Sequence, residues 1–102
     1  MNKKEYAESF IEAIKNKEEN LYRFFTKRTI ITSLNEQKNL TLDEFLIFIK
    51  ENLQKEDFII KRTFESAVCI KFEIYTTKLI ELFIEIKDRR FSIVEFKVNE
   101  QQ

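Results

Sequence analysis

At Asp57 the spacing of apolar side chains changes from the helical to the strand period, and no other feature limits the possible fold so tightly. Upstream, Tyr6, Phe10, Ala13 and Ile14, with Ala7 and Ile11, recur every three or four positions, which predicts an amphipathic helix over residues 3–17. "EENLYRFFT" predicts a short second helix with Leu21, Phe24 and Phe25 turned inward, after a bend through residues 16–20. "RTIITSLNE" is rich in β-branched residues and predicts a strand, with "NEQKN" as a turn. In "NLTLDEFLIFIKENLQK", Thr41 followed three residues later by Glu44 has the form of a capping box. A third helix therefore starts there, facing inward through Leu42, Phe45, Leu46, Ile49 and Leu53, with Phe48 at the edge. From Asp57 to Val98 the alternation divides into four strands joined by short turns. Helices first, one strand among them and a closing antiparallel meander make an α+β chain.

The turns set the register, because a slip of one residue exchanges the two faces of a strand. A three-residue loop of Asp88, Arg89 and Arg90 sets Ile84 opposite Val94, Leu82 opposite Phe96, Ile80 opposite Val98 and Glu81 opposite Lys97. A two-residue loop would set Leu82 against Glu95 and destroy the segregation. A loop of Thr76, Thr77 and Lys78 likewise sets Ile74 against Ile80, Phe72 against Leu82 and Ile70 against Ile84, although it also opposes Glu73 and Glu81. One continuous apolar face results, made of Val68, Ile70, Phe72, Ile74, Ile80, Leu82, Ile84, Ile86, Val94, Phe96 and Val98, with three helices to cover it. The other face mixes charges and aromatics: Cys69, Lys71, Glu73, Tyr75, Phe83, Glu85, Phe91, Ile93 and Glu95. The chain has neither Gly nor Pro, so positive-φ positions must fall to Asn, Asp or strained residues.

A length of 102 residues fits one domain spanning 1–102, and 43% hydrophobic residues with eleven Phe can fill its core. Lys plus Arg equal Asp plus Glu at 18 each, with the signs interspersed, which argues against a nucleic acid or an anionic membrane as partner. One cysteine, Cys69, and no histidine leave no internal disulfide and little with which to hold zinc or a redox metal, so no cofactor is expected. A reduced, cytoplasmic setting is expected: no apolar run approaches the roughly 20 residues that cross a bilayer, and "MNKKEYAESF" lacks a signal-peptide h-region. Abundant Lys, Asn, Ile and Phe fit an AT-rich bacterial genome.

"FIEAIKNKEENLYRFFTKRTIIT" resembles the first helix, short second helix and first strand of the NTF2-like (SnoaL-like) superfamily, a cystatin-like α+β roll. "IEIKDRRFSIVEF" resembles its penultimate hairpin, with Asp88, Arg89, Arg90 and Phe91 at the turn positions and Arg89 where the family usually has Gly. The resemblance spans nearly the whole chain and implies N-terminal helices and a third helix packed on a curved antiparallel sheet. It implies no single function, because the superfamily hosts isomerases, cyclases, dehydratases, transport factors and non-catalytic association domains.

Catalytic members of such a roll place an acid or base, with a hydroxyl or histidine, inside the cone. Here Asp43, Asp57 and Asp88 fall at a helix start, a strand start and a hairpin tip, away from the apolar face, so no residue is assigned as catalytic. In "DFIIKRTFE" the alternation puts Phe58, Ile60, Arg62 and Phe64 on one face. Arg62 is then either an anchor for an anionic ligand or a side chain that snorkels or pairs with a helix Glu such as Glu12. The candidate pocket-lining residues are Tyr6, Phe10, Tyr22, Arg62, Phe72 and Phe96, several of which serve equally as plain core. The candidate dimer face is Tyr75, Phe83, Phe91 and Ile93. The doublets Lys27-Arg28, Lys61-Arg62 and Arg89-Arg90 are scattered along the chain and balanced by acids, which suits solvated charge. Three functions remain open. One is a non-catalytic, homodimeric binding or association domain, with a filled core or an apolar pocket for a hydrophobic or anionic small molecule. The second is a SnoaL-like isomerase or cyclase acting on a hydrophobic small molecule, and the third a hetero-assembly module docking through the outer sheet face. A hollow cone with converging polar groups favours ligand or enzyme, and a packed one favours association.

Overall fold

The computed structural model describes residues 2–100, in which two α-helices pack on a six-stranded sheet. Helix α1, Lys3–Lys15, buries Ala7, Phe10, Ile11, Ala13 and Ile14, and the Asn2 side chain caps it by accepting from the Glu5 N–H at 2.8 Å. It stops short of Lys17 because Lys17 takes φ 56°. The N–H groups of Lys17 and Glu18 then turn back to the carbonyls of Ile14 and Ala13 at 3.0 and 3.1 Å, a Schellman end made without glycine. The expected second helix is only one 3-10 turn, Tyr22–Phe24, yet Leu21, Phe24 and Phe25 are all buried as the spacing predicts. Strand β1, Ile30–Ser33, pairs with β2, Lys38–Leu40, a short strand that takes in Lys38 and Asn39 of the expected turn.

The capping box forms as expected: Thr41 Oγ1 accepts from the Glu44 N–H at 3.1 Å, and Glu44 Oε1 accepts from the Thr41 N–H at 2.9 Å. It starts α2, Leu42–Asn52, which buries Phe45 and Ile49, while Leu53 beyond it is buried and Leu42, Leu46 and Phe48 are partly so. The remaining strands are β3, Ile59–Glu65, β4, Ile70–Tyr75, β5, Lys78–Lys87, and β6, Arg90–Glu100. The sheet order is β2-β1-β6-β5-β4-β3, and the sheet is not purely antiparallel, since β1 runs parallel to β6. Thr29 and Asn35 tie down the two ends of that parallel pair. Thr29 Oγ1 donates to the Phe91 carbonyl at 2.6 Å, and the Asn35 carboxamide bonds both the N–H and the carbonyl of Val98, at 2.7 and 2.9 Å.

The register of β4 on β5 is as expected, including Glu73 opposite Glu81. In β5 and β6 the expected pairs Ile84–Val94, Leu82–Phe96 and Ile80–Val98 all form, by a different route. The loop is a two-residue turn of Asp88 and Arg89, φ 53° and 61°, closed by Lys87 opposite Arg90. Positive φ at both central residues matches the strands' twist. Ser92 is then an extra, bulged residue between the pairs Ile86–Phe91 and Glu85–Ile93, and it restores the phase of the alternation. As a result Phe91 lies not on the expected outer face but in the core, 1% exposed.

A second bulge, at Lys61 between the pairs Ile60–Ile74 and Arg62–Glu73, has the reverse effect: Arg62 and Phe64 turn from the expected inner face to the outer one. Val68 is also displaced from the apolar face. It sits 65% exposed in the β3–β4 turn, where Ser66 Oγ accepts from the N–H groups of Val68 and Cys69.

Residues bearing a Cβ at positive φ cost about 1 kcal/mol relative to glycine. Lys17→Gly and Arg89→Gly should therefore each stabilise the chain, raising Tm by about 4–8 °C per kcal/mol in thermal unfolding followed by circular dichroism; unchanged or lower Tm values would refute the strain account.

Candidate functional site

The space between the helices and the sheet is occupied by rings. Phe91 lies 5.0 Å from Phe10 and 5.2 Å from Phe25, both edge-on, and 5.6 Å from Phe24, stacked. Phe96 extends the cluster, 5.3 Å from Phe45 and 4.4 Å from Phe48. Ser33 is the one polar side chain as buried as this core among the described residues, at 2% exposure, and its Oγ accepts from the Glu36 N–H at 3.4 Å. Among the described residues no ionisable group reaches the interior, and no acid–base pair converges there.

The six residues named as pocket-lining are not brought together. Phe10, Phe72 and Phe96 are packed core. Tyr6 is half-buried at the rim, with its ring 5.3 Å from Phe24 and 5.6 Å from Phe91. Tyr22 is 50% exposed on the outside of the molecule, where its hydroxyl donates to Asp43 Oδ1 at 2.7 Å. That bond and the nearby negative charge hold the phenol above its ordinary pKa, which makes it a weaker proton donor. Arg62 is exposed opposite Glu73, because the Lys61 bulge removes it from the apolar side.

The outer sheet face is the more organised surface. Tyr75, Phe83 and Ile93 are half-buried on it, as named from the sequence, and the Ser92 bulge withdraws Phe91. Two bulge- and topology-dependent additions were not legible in the sequence: Phe64, 46% exposed opposite Lys71, and Ile30, brought beside Ile93 by the parallel strand. Lys71 organises the centre. Its Nζ lies 2.9 Å from Glu81 and 3.5 Å from Glu73, and 5.5 and 5.3 Å from the ring centroids of Phe64 and Phe83. The Asn99 amide donates to Glu81 at 2.9 Å. The repulsion expected between Glu73 and Glu81 is thus bridged by one ammonium.

The Lys71 hydrogen bond, then that of Asn99, holds the Glu81 carboxyl below the usual glutamate range, and the Glu81 contact in turn raises the Lys71 ammonium. Burial pushes the Cys69 thiol up, so this half-buried cysteine is not a thiolate. Among the described residues no group of His, Cys, Asp and Glu is placed to hold a metal ion, and no helix is long and apolar enough to cross a membrane.

Solved structures resemble this arrangement over almost the full chain. An NTF2-like protein of unknown function from Burkholderia xenovorans superposes with TM-score 0.79 at 7% identity, covering 97% of this chain and 84% of that one. A candidate ketosteroid isomerase from Kribbella flavida gives TM-score 0.72 at 12% identity over 96% and 78%. A candidate SnoaL-like polyketide cyclase from Shewanella putrefaciens gives 0.67 at 14% over 97% and 81%. The chain has the NTF2-like fold. No protein-family model and no curated sequence matches it, so the likeness rests on the fold.

Within this NTF2-like roll, Phe91 is buried at the centre of the interior ring cluster. Truncation there should leave a cavity: Phe91→Ala is expected to lower stability by about 3–5 kcal/mol in urea unfolding, and a loss below about 1 kcal/mol would show that the ring does not fill the core.

The charge centre on the outer face gives a pH test. Glu81 is depressed in the folded state, so its contribution is complete above the ordinary glutamate pKa of about 4.3 and is lost as pH falls through its folded value. Lys71 is raised, so its contribution holds below about 10.4 and is lost as pH rises through its folded value. Lys71→Met should cost about 1 kcal/mol near pH 7, by leaving Glu73 opposite Glu81 unbridged. That deficit should vanish on acidification when unfolding is measured across pH, and a deficit independent of pH would contradict it.

Proposed function

We propose that this domain is a non-catalytic association domain whose outer sheet face packs against a second copy of itself. The observation that carries the non-catalytic part is the ring-filled interior centred on Phe91, with no ionisable side chain inside among the described residues. An isomerase or cyclase would need an acid or base beside an enclosed substrate, and the Tyr22–Asp43 pair is instead half-exposed on the surface.

Three features support self-pairing. Apolar and aromatic side chains from five strands, Ile59, Phe64, Tyr75, Phe83, Ile93 and Ile30, share the outer face. Lys71 is paired within the chain with both Glu73 and Glu81, and Lys97 stands opposite Glu81, so the cluster sets two cations against two carboxylates. Zero net charge removes long-range repulsion between copies. Sheet-on-sheet packing of this kind buries alternate residues of both faces.

Light scattering coupled to size exclusion should give twice the 12.5 kDa chain mass at micromolar concentration. Phe83→Glu should keep the circular dichroism spectrum and weaken the dimer by about tenfold or more, as expected for a central aromatic anchor. A wild-type monomer, or a Phe83→Glu variant that remains fully dimeric, would overturn the proposal.

A further inference from the structure

Basic residues that are far apart in the sequence meet at one end of the fold. Lys3, Arg89 and Arg90 line a groove of about 510 Å³ between the start of α1 and the β5–β6 turn, together with Tyr6 and Ile86, and Asp88 is the one acidic residue in its lining. Such a volume falls within the roughly 300–1,000 Å³ of small-molecule sites. The Lys27-Arg28 doublet is exposed and is held to the same end by the bond from Thr29 Oγ1 to the Phe91 carbonyl at 2.6 Å. A chain of zero net charge thus has a cationic end.

Asp88 in the groove and Glu65, which shares a small neighbouring pocket with Lys3, lie beside these cations, and neither is ion-paired to them among the described residues. Lys87 stands directly opposite Arg90 across the hairpin, a like-charge pair that works against the turn. The ion pairs among the described residues involve Arg23, Lys38 and Lys71, and none involves Lys3, Lys87, Arg89 or Arg90. Arg89 also holds φ 61°, where glycine would be less strained. Arg90 Nη1 donates to the Arg89 carbonyl at 2.8 Å, which orients the guanidinium and leaves its other N–H groups for a forked contact with an oxyanion.

Besides Asp88 and Asn2, the remainder of the groove lining is Tyr6 and Ile86, which give it an apolar wall. Ile86 is a core residue, and the Tyr6 ring is fixed against Phe24 and edge-on to Phe91. A bare anion would leave that wall wet.

We infer that this groove binds a small molecule with a phosphate or carboxylate head, held by Arg89, Arg90 and Lys3, and an apolar body laid against Tyr6 and Ile86. An anion there relieves the Lys87–Arg90 repulsion while the body covers the apolar wall. The site is separate from the outer sheet face and does not depend on whether the chain dimerises.

Titration calorimetry with octyl phosphate, inorganic phosphate and the uncharged octyl glucoside tests each half of the recognition. Octyl phosphate should bind at least about tenfold more tightly than either of the others, the difference expected for one charged hydrogen bond or a short buried alkyl chain. Added salt should weaken it. Arg89→Gly should lower its affinity by about tenfold or more even as it raises Tm, and Arg90→Gln should lower the affinity too. Lys97→Gln, on the outer sheet face, should leave binding unchanged. Equal affinity for octyl phosphate and inorganic phosphate, equal affinity for octyl glucoside, or an unaffected Arg89→Gly variant would overturn the assignment. So would binding seen only to phosphatidylglycerol vesicles, which would mean a membrane surface in place of a soluble ligand.

Discussion

The Phe91 ring is the contact on which the rest of this structure depends. It is centred among Phe10, Phe24 and Phe25, residues of the first helix and the segment after it, and so joins the N-terminal third of the chain to the last hairpin. Its position follows from a local constraint. A two-residue turn with positive φ at both positions suits the twist of the strands, but it would place every later β6 side chain on the wrong face. The Ser92 bulge corrects the phase, and Phe91, between the turn and the bulge, is left pointing inward. The bulge also frees backbone groups: the Phe91 carbonyl is taken by Thr29, and Ser92 Oγ donates to the Glu85 carbonyl at 3.0 Å. The interior between helices and sheet is thereby filled with aromatic rings.

The charges divide in the same manner. At the centre of the sheet's outer face Lys71 sits between two carboxylates and two rings, with Lys97 opposite Glu81, so the charges there find partners within the chain. At the β5–β6 turn Lys87 faces Arg90, and among the described residues no ion pair involves either, although Asp88 shares the groove with Arg89 and Arg90. A net charge of zero conceals both facts, because it sums over the chain and says nothing of where the signs meet.

The lack of glycine connects these features. Lys17, Gln37, Asp88 and Arg89 all occupy positive φ, and each carries a Cβ into a region where it is crowded. At Lys17 the strain ends a helix and does nothing else evident. At Arg89 it places a guanidinium on the rim of a groove, where the residue that would relax the backbone would also remove the charge.

The helices, the capping box and the pairing of the core strands were legible in the sequence, because each depends on periodicity or on contacts three or four residues apart. Thr41 and Glu44 need only each other, and Ile84 finds Val94 because a buried face penalises any other register. What the sequence could not place was what depends on a bulge or on a distant strand. A single extra residue at Lys61 or Ser92 leaves no compositional mark, yet it turned Arg62 out and Phe91 in, removing the proposed anchor and filling the proposed pocket. Strand β1 lies beside β6 in parallel, a pairing between residues more than sixty positions apart, and it alone set Ile30 beside Ile93 and drew Lys27 and Arg28 toward the hairpin cations. Local periodicity and caps are encoded within a few residues of the chain; faces and charge neighbourhoods depend on how its ends pack, and only the tertiary structure decides them.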